Sequence, residues 1–511
     1  MKKKALLLLL IICLLVPFSA CEKTETVSFG SSDLLVSSFD GLGVEWGTYE
    51  DTNKLVNGAW DRVLEAVDRL NPSIIRCMTN LDWYVVDFDN NDTPYDPTDD
   101  KWNYNFNNKN MVNTTKILDY CEAHGIQVAF GVWNVIGNVD PDKDLYGMIY
   151  RETEEGYLAS EIATADPRWP MMNADLMEYL IKVKGYTCIK WFVNTNEPNM
   201  IGEIGQSKNA YSNYEIWETG MKNLRAAFDS IGLRDLALVG GDTTKILPTR
   251  TYLTNIARNI PNIVNNYGFH YYADANDLMT GAFQKYLEDL YARVQVIDSE
   301  LGTSKKMYIW EAGIFNGKNE ETDSNGTILN YTYGLRMADY TLQSIAAGLN
   351  GIVYWDLDDA MYFTYRDNVA TPKEWGMFST LATSDSQKQE YRPWYHASVL
   401  LTNLFRPGYS IFSKDTGKEG VRAMAALSPD RTRGGYVVVN HSKSRIKQKM
   451  QISEKVEAGT KLYVYYYSEK YLKIGADGYV EPNYEIEGTL NREITLEIPA
   501  NTFAVVSNVR L

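Results

Sequence analysis

From about Ser38 to Phe405, short apolar runs alternate with stretches whose apolar residues recur every three to four positions. The runs are Gly41–Trp46, Ser73–Met78, Ile126–Val132, Ile189–Thr195, Leu236–Gly240, Tyr267–His270, Lys306–Trp310 and Gly351–Trp355. They are β-branched and apolar throughout, as expected of strands covered on both faces. Between them, Val56–Leu70, Asn110–His124, Asp175–Lys184, Tyr214–Ile231, Ala282–Leu301 and Leu335–Ala347 read as amphipathic helices. Eight strands alternating with helices predict an α/β fold whose parallel sheet closes into a (β/α)8 TIM barrel. An open doubly wound sheet is the competitor, but no glycine-rich phosphate loop follows the first strand.

The pattern changes near Gly408. Helical periodicity gives way to short alternating runs at Ala423–Leu427, Gly435–Asn440, Lys447–Ile452, Lys461–Tyr467, Ile494–Ile498 and Phe503–Val506, punctuated by Pro429-Asp430 and Ala476-Asp477-Gly478. Residues 408–511 are therefore expected to form a small all-β sandwich behind a barrel of residues 38–407.

Composition adds three things. The formal charge of −16 over 511 residues argues against a nucleic-acid partner, which calls for a basic stripe. Thirty-six Tyr and twelve Trp suit flat stacking surfaces of the kind sugars use. The start of the chain reads as a leader: Lys2 to Lys4 form a basic region, Ala5 to Val16 an apolar one too short to span a bilayer, and Phe18-Ser19-Ala20 precedes Cys21. Those residues resemble the bacterial lipoprotein box. The resemblance implies that residues 1–20 are removed, that Cys21 carries lipid, and that 21–37 tether an exported enzyme to a bacterial membrane, the outer one. Cys77, Cys121 and Cys188 show no metal-ligand spacing and read as small buried apolar residues, so no metal is expected. Asp87, Asp89, Asn91 and Asp92 lack the glycine and glutamate of a calcium loop.

In a (β/α)8 barrel the C-terminal strand ends share one pocket. Those ends carry Arg76 (strand two), Trp133 and Asn134 (three), Asn196-Glu197-Pro198 (four), His270 and Tyr272 (six), Glu311 (seven) and Trp355 (eight). Two glutamates on strands four and seven are what glycosidic cleavage asks for, one to protonate the leaving oxygen and one to attack or to activate water. In a regular strand Asn196 and Glu197 point to opposite faces, so both reach a ligand only if that strand end is irregular.

Ile189-Lys190-Trp191-Phe192-Val193-Asn194-Thr195-Asn196-Glu197-Pro198 resembles the strand-four signature of clan A glycoside hydrolases, and Met307-Tyr308-Ile309-Trp310-Glu311-Ala312-Gly313 the strand-seven signature. His270-Tyr271-Tyr272, Arg76 and Trp355 match the clan at strands six, two and eight. The resemblance covers Ser38 to Phe405, with a C-terminal β-domain like those of families thirty, thirty-nine and fifty-one. Trp133-Asn134 stand where family five has a histidine, which leaves the family and the sugar open.

The resemblance implies a retaining hydrolase of β-linked saccharides, with Glu311 as nucleophile and Glu197 as acid/base. Arg76, Trp133, Asn134, Asn196, His270, Tyr272 and Trp355 are then expected around the substrate, Asn196 on the sugar 2-hydroxyl and Trp355 beneath the ring. No cofactor and no partner beyond carbohydrate and membrane lipid are implied, and the chain reads as a monomer. The alternative is a carbohydrate-binding lipoprotein that keeps the fold without activity, for which a broken carboxylate pair is expected.

Overall fold

The computed structural model describes residues 26–47, 59–89, 91–93, 99–133, 164–199, 214–244, 249–319, 324–364, 369–379, 391–457 and 459–511. Residues 1–20, expected to be a leader, lie outside the described residues, as do Cys21 and Asn134.

Eight parallel strands close into a barrel in sequence order: β1 (Gly41–Glu45), β2 (Ile74–Thr79), β3 (Gln127–Val132), β4 (Ile189–Val193), β5 (Ala237–Thr243), β6 (Asn266–Ala273), β7 (Lys306–Ile314) and β8 (Gly351–Tyr354). The ring is sealed by β8 on β1, with Ile352 opposite Leu42 and Tyr354 opposite Val44. Ile74, Met78, Ala129, Trp191, Val193, Val239, Tyr308, Trp310 and Val353 form the apolar plug inside it. Gly268 makes room for this plug, because a Cβ there would lie 2.4 Å from two atoms of the Trp310 indole.

Helices follow each strand and cover the outside. Lys109–His124 shows why they stop and start: Asn108 caps it by accepting from the Asn110 N–H, and Gly125 ends it in the left-handed region at φ 66°. The helix expected at Asp175–Lys184 instead runs Arg168–Glu178 and continues as a π turn, Tyr179–Val183. Pro170 does not break it, because it occupies the first turn, where the N–H has no helical partner.

Two further sheets form the sandwich, one of seven strands and one of three. Val27, Phe29, Ala423, Ala425, Tyr436, Met450, Ile452 and Leu496 are among the residues packed between them. The sandwich draws on both ends of the chain: Thr26–Phe29 pairs in parallel with Ile446–Ile452, and Leu34–Val36 pairs antiparallel with Ser410–Asp415. The segment expected as a tether over residues 21–37 is thus already strand from Thr26. Val27 and Phe29 supply the alternate buried positions, four residues being too few for periodicity to announce a strand. Arg422 of the sandwich joins the two domains, donating to both oxygens of Asp339 at 2.8 and 2.9 Å and to the carbonyl of Leu278 at 3.0 Å.

Candidate active site

The C-terminal strand ends converge on one guanidinium. Arg76, on β2, is wholly buried. Its Nη1 donates to Glu45 Oε2 and Glu311 Oε1, each at 2.9 Å, and its Nη2 to Asn196 Oδ1 at 2.7 Å and Asp242 Oδ2 at 2.9 Å. A second centre is His270 on β6, also wholly buried, with Nδ1 2.8 Å from Glu197 Oε1 and 3.4 Å from Glu311 Oε2, and Nε2 3.0 Å from Asp242 Oδ1. Tyr272 donates to Glu311 Oε2 at 2.9 Å. The two glutamates therefore hang from one shared network.

Irregular backbone produces this convergence. Between β6 and β7 the pairing steps from Phe269 opposite Ile309 to His270 opposite Glu311, which leaves Trp310 as an extra residue. Such a bulge lets consecutive side chains, Trp310 and Glu311, both serve the interior. A second step skips Asp242, which sits at φ 55° between Gly241 opposite Gly268 and Thr243 opposite Phe269. At the end of β4 the irregularity expected from the sequence is present: Glu197 has φ 43°. Its N–H donates to the Asp242 carbonyl at 3.0 Å, while the Asn196 N–H donates to the Trp133 carbonyl at 2.9 Å on the opposite neighbour. Held from both sides, Asn196 faces Arg76 and Glu197 faces His270.

The electrostatics follow from crowding charges where water is excluded. Burial pushes Glu45 up to about 8, against the pull of Arg76. Burial also raises Glu311, opposed by His270 and Arg76. For His270, burial alone favours the neutral ring, yet Glu311 and Asp242 outweigh it and push the pKa up to about 10. Asp242 is lowered: burial works to raise it, but Arg76 and His270 prevail. An imidazolium with both N–H groups engaged has no lone pair to give a cation. The oxygens of Glu197 and Glu311 that lie near it fit a metal by distance only, within 4.8 Å of one another.

Arg76 and His270, grouped on sequence with the substrate contacts, are therefore placed differently. Both are sealed beneath the site: Arg76 donates to three carboxylates and the Asn196 amide oxygen, and His270 lies against three carboxylates. The surface offered to a ligand comes from Glu197, whose side chain is 18% exposed, with Asn196, Trp133 and Tyr272. Trp133 meets Trp355 edge-on with centroids 5.7 Å apart, and the Arg76 guanidinium stacks 5.0 Å from the Trp133 ring. Trp355 is largely buried, and the Trp355–Asp356 peptide is cis. Three residues went unnoticed in the sequence. Glu45 and Asp242 stand at the ends of β1 and β5, the two strand ends from which no residue was taken. Trp375, which packs against Tyr272 at 5.3 Å, lies on a loop beyond β8 and carries no periodic signal.

A closed parallel barrel with a β-sandwich behind it is a fold this chain shares with solved glycoside hydrolases. The catalytic domain of the family 30 xylanase C from Talaromyces cellulolyticus superposes with a TM-score of 0.63 at 14% identity, covering 95% of this chain and 100% of that one. A family 30 endoxylanase from Clostridium papyrosolvens gives 0.59 at 14% identity, over 95% and 100% of the two chains. A family 39 β-xylosidase from Caulobacter crescentus gives 0.56 at 14% identity, over 95% and 99%. No protein-family profile matches the sequence, and no curated protein is similar enough in sequence to register a match.

Proposed function

We propose that the chain is a retaining glycoside hydrolase acting on β-linked poly- or oligosaccharides. The observation that carries this reading is the approach of Glu197 and Glu311, one oxygen of each lying within 4.8 Å. Retaining enzymes hold their carboxyls about 5–5.5 Å apart, whereas inverting ones need about 6.5–9.5 Å to admit water between them. Arg76 and Tyr272 donate to opposite oxygens of Glu311, which orients it as a nucleophile. Glu311 attacks the anomeric carbon, and Glu197 gives its proton to the departing oxygen. Glu197 then takes a proton from water as that water displaces Glu311 from the sugar. Asn196, its amide oxygen fixed by Arg76, turns its carboxamide toward the position of the sugar 2-hydroxyl, and Trp355 with Trp133 makes the apolar wall. Xylan and xylosides are the first substrates to try, since xylanases and a xylosidase share the fold.

The test is proton NMR of the first sugar released. The anomer of the substrate is expected; initial release of the opposite anomer would remove Glu311 from the nucleophile's role.

A further inference from the structure

Asp242 belongs to none of the clan matches quoted above, yet it has three ties within the site, as many as His270 or Glu311. It is almost wholly buried and sits on a bulge, which turns its side chain inward from a strand that would otherwise aim it elsewhere. Oδ1 meets His270 Nε2 at 3.0 Å, Oδ2 accepts from Arg76 Nη2 at 2.9 Å, and its carbonyl accepts the Glu197 N–H at 3.0 Å. The left-handed backbone at φ 55° costs on the order of 1–3 kcal/mol in a residue with a side chain. Folding retains that strained geometry where a glycine, already abundant in Gly240-Gly241, would relieve it.

We propose that Asp242 is a positioning residue for proton exchange at Glu197: by gripping His270 at Nε2 and Arg76 at Nη2, it aims the imidazole Nδ1 at the acid/base and links that group to the guanidinium beneath the nucleophile. This rests on the glycosidase reading. The charged groups facing the imidazole are Asp242 from β5, Glu197 from the end of β4 and Glu311 from β7, with the Tyr272 phenol on its own strand. His270 keeps a proton on each nitrogen throughout, its Nδ1–H donating to Glu197 Oε1, and the proton that Glu197 gives up and regains is a separate one on its other oxygen. When Glu197 protonates the leaving oxygen, the N–H bond from His270 steadies the carboxylate that remains. When Glu197 then takes a proton from water, that bond relaxes. The Nε2–H bond to Asp242 persists through both halves and keeps the ring from turning.

The chain contains four histidines, so nitrogen-15 NMR of labelled protein can follow His270 directly, its signal assigned by loss in His270→Asn. His270 is expected to hold both protons from pH 6 to 9 in the native protein, and to lose one within that range in Asp242→Asn. On the kinetic side, Asp242→Asn and His270→Asn should each lose on the order of a hundredfold in kcat on a substrate with a poor leaving group. On a dinitrophenyl glycoside, which needs little protonation, the loss should be severalfold at most, with KM near its native value. Equal losses on both substrates, or an imidazole neutral at pH 7 in the native protein, would overturn the proposal. Should Asp242→Asn fail to fold through its tie to Arg76, His270→Asn and the native spectrum still decide it. If the native protein cleaves no glycoside, the glycosidase reading fails by itself, while the spectra still report whether Asp242 controls His270.

Discussion

Glu197 and Glu311 share a histidine and an arginine network, yet their surroundings separate them. Glu311 accepts from Arg76 and Tyr272 on its two oxygens, whereas the Glu197 carboxylate, among the described residues, meets the His270 ring and reaches the surface. Removing each should therefore fail differently. Glu197→Ala is expected to lose about 10²–10⁴-fold on unactivated substrates. With an activated substrate, azide should intercept its glycosyl-enzyme and give the retained glycosyl azide. Glu311→Ala should turn over only when azide replaces the carboxylate, giving the inverted azide. Chiral analysis of the two products checks this, and a common anomer would refute the assignment of roles. A second expectation concerns pH. The His270 pKa is pushed above the usual imidazole value of 6.5 to about 10, so the native state keeps a proton that the unfolded chain has released. Stability from that proton is complete below about pH 6.5 and lost progressively as pH rises to about 10. Denaturant titrations at pH 7 and 9 should show stability falling, and falling less steeply in His270→Asn by about 1.4 kcal/mol per pH unit. At this scale the sequence marked the two glutamates that the structure brings together but not the residues that support them. Glu45 and Asp242 are single acids in glycine-rich surroundings, and nothing local distinguishes an acid that holds an arginine from one on the rim.

Strands and helices were the more legible level, because both faces of a barrel strand are buried and the apolar run marks it directly. Every expected barrel strand is present, although β6 and β7 continue to Ala273 and Ile314, beyond the runs that announced them. Their extensions contain Tyr272 and Glu311, polar residues that follow an apolar run without ending a strand. Bulges are the reason. A period of two cannot foresee a place where Trp310 and Glu311 both serve the interior, since the extra residue is set by pairing with β6 and not by the sequence of β7. This makes Gly268 a test of the element. A Cβ there would overlap the Trp310 indole at 2.4 Å, so Gly268→Ala must displace the bulged residue next to Glu311. Overpacking of this kind costs about 1–3 kcal/mol. Chemical denaturation should register that loss, and kcat should fall although no atom of the site has been removed. A stability loss with unchanged kcat would mean that the bulge does not set the position of Glu311.

For the molecule as a whole, the position of Thr26–Phe29 alters how an anchored enzyme would sit. The strand lies beside Ile446–Ile452 in the three-stranded sheet, with Phe29 wholly buried and Val27 nearly so. We propose that Cys21 carries the lipid, and only residues 22–25 then separate it from that strand. An extended chain spans at most about 3.3–3.6 Å per residue, so the sandwich, not the barrel, would be the part held against the bilayer. A chain with net charge −16 has little electrostatic attraction to an anionic surface, and among the described residues no helix is long and apolar enough to cross a membrane. Attachment would then depend on the acyl chains, and on more than one of them, because a single chain binds reversibly. Cys21→Ser expressed in a bacterial host should accumulate as precursor or as soluble enzyme with unaltered kcat once the leader is removed. Truncation to Gly30 is a separate matter: it removes Val27 and Phe29 from the sandwich core, where losing one large aromatic costs about 3–5 kcal/mol. A soluble form beginning at Glu22 should therefore match the anchored enzyme in thermal stability, while one beginning at Gly30 should melt earlier. Membrane retention of a mature-sized Cys21→Ser protein would show that something other than this cysteine holds it.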